Sequence, residues 1–147
     1  MSKQLTPEEL AQAEQQQSEW IRAQYQKANQ YLAGKGIIPD TVAVSESRYL
    51  VPYMAIWKLN TRDKKSYWVI TGDLPTDHLA VSAAASAREA VRAFSFQWQL
   101  KAQQLIDAGI RDKTQEDFAN LLISRAHNLY DMFNQEELWQ QQSEVSA

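Results

Sequence analysis

Apolar residues recur at helical spacing in three stretches of the chain, and the stretch between the first two is patterned differently. Ile21, Tyr25, Ala28 and Leu32, with Trp20 and Tyr31 beside them, repeat at the helical period. Thr6, Pro7 and Glu9 mark the start of this helix, with a threonine cap, a proline in the first turn and an acid three residues after the cap. Gly34 and Gly36 offer a left-handed stop and Pro39 bars continuation, so the pattern predicts a helix from about Pro7 to Ala33.

From Thr41 to Thr71 the period shortens. Val42 and Val44 alternate with small residues, Tyr49 to Leu59 is a long β-rich run, and Ser66 to Thr71 is another. Three strands are expected. The polar stretch Asn60 to Lys65 reads as a hairpin loop, so the last two strands pair antiparallel. Pro52 cannot donate to a ladder, which places it at an edge, at a bulge, or where a short strand breaks from a longer one.

The long run is apolar on both faces: Tyr49, Val51, Tyr53, Ala55, Trp57 and Leu59 on one, Leu50, Met54 and Ile56 on the other. Helices on both faces explain this directly. The second explanation is a partner chain, a homodimer or a ligand against one face.

Beyond the segment Gly72 to His78, a helix is expected from about Ser82, with Arg88, Val91, Phe94, Trp98, Ala102 and Leu105 on one stripe and Gly109 past its end. A third helix starts at Thr114 with Asp117 in a capping-box position and carries Phe118, Leu121, Leu122, Ala126 and Leu129. It is expected to continue towards Trp139. The order of elements argues for an α+β fold with an N-terminal helix, a three-stranded antiparallel sheet (a meander, or a hairpin plus a short strand) and two C-terminal helices packed on the sheet. One domain over residues 1–147 is expected, frayed at 1–5 and 140–147.

Composition narrows the function. The absence of cysteine removes disulfides, thiolate metal ligands and thiol nucleophiles, and it fits a reducing compartment. No signal peptide or membrane span is visible, so a cytoplasmic location is expected. A net charge of −3 with scattered basic residues argues against nucleic-acid binding, and the cluster Arg62, Lys64 and Lys65 reads as a solvated hairpin tip. Five Trp and six Tyr are many for this length and suit interfaces and pockets as well as a core. No phosphate-binding glycine motif and no nucleophile elbow occurs, so neither a catalytic residue nor a cofactor is assigned.

Three segments, Glu46 to Leu50, Tyr67 to His78 and Phe94 to Lys101, resemble a family of small gamma-proteobacterial proteins that share a domain of unknown function. The resemblance spans about Trp20 to Ala108. It implies a free-standing bacterial cytoplasmic protein and supplies no catalytic residue.

Two groups of polar residues stand out. Asp73, Asp77 and His78 lie on the segment before the second helix, where they could ligate a metal or pair a base with a carboxylate, although turn and capping roles are the readier explanation. Arg48 and Arg88, with Glu46 nearby, could form a structural ion pair or an anion site, since an arginine on an apolar stripe needs a partner. The leading functional expectation is a non-catalytic binding or protein-interaction protein using the aromatic face of Tyr49, Tyr53 and Trp57, with an unidentified partner or a second copy. The rival is a small enzyme or a metal- or anion-binding protein with its site at Gly72 to His78.

Overall fold

The computed structural model describes residues 4–145 in secondary structure and 4–140 in side-chain detail. Helix α1 (Pro7–Gly34) starts where the sequence marks it, with Thr6 Oγ1 accepting from the Glu9 amide at 3.1 Å. The sheet follows as β1 (Pro39–Val42), β2 (Arg48–Leu50), β3 (Met54–Thr61), β4 (Ser66–Gly72) and β5 (Asp77–Ala80). Helices α2 (Ala87–Asp107), α3 (Lys113–Phe133) and α4 (Glu136–Val145) complete the chain.

The sheet is antiparallel in the order β1-β3-β4-β5, with β2 pairing to β3 beyond the end of β1. It therefore has five strands, not three. Pro52 is the reason for one of the additions: it sits in the turn that folds β2 back onto β3, with Tyr49 opposite Ala55. The other addition is β5, drawn from the segment expected as loop, which pairs His78 with Val69 along the free edge of β4.

Helices cover both faces of the sheet. Ala55, Trp57, Leu59 and Val69 pack under Ala28 and Leu32 of α1. Met54, Ile56, Trp68 and Ile70 pack under Phe94 and Trp98 of α2 and Leu122 and Leu129 of α3. The period-2 alternation of the two strands thus feeds two separate cores, which is why both of their faces are apolar.

Two boundaries differ from the sequence expectation. Helix α2 begins at Ala87 rather than near Ser82, because Ser86 is the residue whose hydroxyl caps, accepting from the Glu89 amide. Helix α3 is capped by Asp112 and stops at Phe133, whose carbonyl is taken by Arg88, and α4 starts anew at Glu136. The fraying expected at the chain ends falls largely on residues 1–3 and on side chains from 141 onward, outside those described.

Where α2 and α3 meet, the buried residues are small. Ala102, Ala119 and Ala126 lie there, and Ser95 donates to the Ala126 carbonyl at 2.7 Å.

Candidate functional site

The aromatic face expected to meet a partner is mostly closed by the chain itself. Trp57 is 2 % exposed, stacks between Tyr25 of α1 and Tyr49 at centroid distances of 5.3 and 5.0 Å, and donates through Nε1 to Thr71 Oγ1. Tyr49 is half-buried, and its hydroxyl is pushed to a higher pKa by that burial. Tyr53 is separated from both, in the β2–β3 turn, and is 61 % exposed.

Asp73, Asp77 and His78 do not converge. Asp73 is exposed, and what it contributes is its backbone carbonyl, which accepts from Arg125 Nε. The Asp77 carboxylate accepts from four donors: the His78 amide at 2.8 Å, the Tyr31 hydroxyl at 3.4 Å, Gln97 Nε2 at 2.9 Å and Trp98 Nε1 at 2.8 Å. A carboxylate with its lone pairs occupied in this way is not free to act as a base or to ligate a metal. His78 lies between Tyr31 and Tyr67, with Nδ1 2.9 Å from the Tyr31 hydroxyl. Burial first, and then Asp77, push the Tyr31 hydroxyl up to about 12. The network ties α1 to α2 around the β5 edge. Among the described residues no group of three His, Asp or Glu side chains is placed to hold a metal ion.

Arg88 is not paired with Glu46 or Asp73. Its Nε and Nη2 both donate to the Phe133 carbonyl, at 3.0 and 2.9 Å, and its guanidinium lies 5.2 Å from the Phe133 ring, so it caps the end of α3. Arg48 donates Nη1 to the carbonyls of Ser45 and Ser47. Glu46 is held by Lys58, whose ammonium lies 3.0 Å from both carboxylate oxygens.

Further exposed apolar side chains lie on α2 and α3. Phe96 and Leu100 of α2 are 47 and 60 % exposed, and Phe118, Leu121 and Tyr130 of α3 are also exposed. The Phe96 and Tyr130 rings are 6.1 Å apart and flank a hollow of about 290 Å³ that Gln99, His127 and Asp131 complete. Arg92 lies over Phe96 at 5.1 Å and over Phe133 at 5.8 Å, and Lys101 lies over Phe118 at 5.8 Å. The sequence does carry a signal for this surface, since Phe96 and Leu100 fall one turn apart and off the stripe that α2 buries.

The chain belongs to the family described as a domain of unknown function (DUF4826), whose model matches residues 14–139. No curated protein and no solved structure matches it. Among the described residues no helix is long and apolar enough to cross a membrane.

Proposed function

We propose that this member of the family is a non-catalytic interaction protein that binds a second copy of itself through the outer face of α2 and α3. The observation that carries the reading is the exposed group Phe96, Leu100 and Tyr130 on the outer side of the α2–α3 seam, beside the hollow that Gln99, His127 and Asp131 complete. Apolar surface of this kind, rimmed by charges, is the ordinary mark of a docking face.

The charges favour a second copy as the occupant. Arg92 is level with Phe133 across the seam and Phe96 with Tyr130. A two-fold axis along the seam turns α2 of one copy onto α3 of the other at the same level. Phe96 then faces Tyr130, and Arg92 faces Asp131. A cation on one helix and an acid on the other make the face complementary to itself. Within one chain, Arg92 has an exposed ion-pair partner, Glu89 at 3.8 Å, and such a pair is weak enough to exchange.

A cytoplasmic location in a bacterium is part of this reading. It is supported by the absence of cysteine and by the resemblance of the three segments noted above.

Sedimentation velocity over a concentration series tests the proposal. The parent chain is expected to dimerise, Leu100→Glu to be monomeric with an unchanged melting temperature, and Arg92→Glu to dimerise weakly. Adding Asp131→Arg to Arg92→Glu restores the pair with its sign reversed and recovers dimerisation. A parent chain that stays monomeric throughout, or a dimer indifferent to all three variants, rejects it.

A further inference from the structure

Near the Phe133 end of α3, the segment before β2 and the start of α2 enclose a cleft of about 260 Å³ lined by Ser45, Glu46, Arg48, Ser86, Arg88 and Trp139. The alanines on either side of Ser86 also line it, and their short side chains are what leave it open. Both arginines reach it with donors to spare. Arg88 spends Nε and Nη2 on the Phe133 carbonyl, and Nη1 has no partner among the described residues. Arg48 spends Nη1 on two carbonyls, and its Nε and Nη2 have none.

Two guanidinium groups held near one another repel unless a negative charge lies between them. Glu46 is the one acid in the lining, and its two oxygens are engaged by Lys58, so that pair contributes no net charge. Among the described lining residues, Arg48 and Arg88 are therefore left without an acidic partner, in a chain whose formal net charge is −3. Its remaining polar groups are donors as well. The Ser86 oxygen accepts from the Glu89 amide, which leaves its hydroxyl proton free to point outward. The first amides of α2 have no helical acceptor and carry the positive end of the helix dipole.

We propose that this cleft binds a small molecule through a phosphate or carboxylate group, with Arg48 and Arg88 as the charge-pairing residues and Ser86 and the first turn of α2 as hydrogen-bond donors. The arginines are pre-positioned by the carbonyls they already hold, so little side-chain order is lost on binding. Trp139 also lines the cleft, and its Nε1 donates to the Met132 carbonyl at 3.1 Å. The cleft shares no lining residue with the hollow on the dimer face, although Arg88 and Arg92 both lie against the Phe133 ring.

Titration calorimetry and thermal melts with inorganic phosphate and with malonate, against sodium chloride at matched ionic strength, test this. Saturable binding of either anion with a rise in melting temperature is expected. Phosphate alone would identify a phosphoryl group and malonate alone a carboxylate, and either result upholds the site. Arg48→Gln is expected to weaken binding about tenfold or more. Arg88 also caps α3, so its removal tests folding as much as binding. Ala85→Glu is the cleaner variant, placing a carboxylate in the cleft without removing any bond, and it is expected to abolish the response. No saturable binding of either anion, or equal binding by Ala85→Glu, overturns the proposal.

Discussion

The indole Nε1 of Trp98 donates a 2.8 Å hydrogen bond to Oδ2 of Asp77, which joins the centre of α2 to the first residue of the edge strand β5. Trp98 is buried and Asp77 half-buried, so the bond is shielded from water on the helix side. The second Asp77 oxygen receives the His78 amide and the Tyr31 hydroxyl, and one carboxylate thus holds elements from both helical layers. Asp77→Ala is expected to cost about 2–3 kcal/mol, since a charged acceptor is lost and buried donors are left unpaired. Trp98→Phe removes one donor alone and should cost less. Urea unfolding of the two variants measures both.

Tyr31 gives this network a pH dependence. Burial first, and then Asp77, push its hydroxyl from the ordinary 10.0 up to about 12 in the folded chain. The unfolded chain therefore releases this proton at lower pH than the folded one. The resulting stabilisation is complete below pH 10 and is lost as the pH rises from 10 towards 12. Tyr31→Phe lacks this proton and is expected to lose less stability than the parent across the same interval. Chemical denaturation of both proteins between neutral pH and the alkaline limit reads the difference.

Gly72 closes β4 opposite Met54 with φ +137°, a backbone conformation that side chains rarely adopt. An added Cβ would run into the Tyr53 carbonyl oxygen and lie 2.6 Å from Met54 Cα, so backbone would have to move. Gly72→Ala is expected to destabilise by about 3 kcal/mol, combining the strained conformation with overpacking. Gly34→Ala is the matched control. Gly34 ends α1 with nothing within 4 Å of the added carbon, and this substitution is expected to be neutral or slightly stabilising. Thermal melts separate the two.

The parts of this fold written in local pattern were legible in the sequence. Thr6 and Pro7 fix the start of α1, and Gly109, with φ +92°, lies just past the end of α2. Pro52 divides a β-rich run, and the apolar character of both strand faces implies the two helical layers. What was not legible depends on partners far along the chain. Asp77, His78, Leu79 and Ala80 have no strand signature of their own, and they become β5 because the edge of β4 lies beside them. Asp77 and His78 stand out in the sequence, yet Tyr31, Gln97 and Trp98 lie 46, 20 and 21 positions away from Asp77, and those partners turn an apparent reactive pair into a tether. Phe118 and Leu121 fit the helical stripe of α3 by spacing, yet both are exposed.

The chain contains no cysteine, so a single introduced one carries the only spin label, and pulsed dipolar measurement between copies locates any self-association directly. With the label at Gln103→Cys, one turn from Leu100 on α2, the dimer through α2 and α3 predicts a short, well-defined intermolecular distance that disappears when Leu100→Glu is added. The same label at Arg62→Cys, on the hairpin tip, should give a much longer distance. Absence of intermolecular coupling at Gln103, or a shorter distance at the hairpin tip than on α2, would contradict the account.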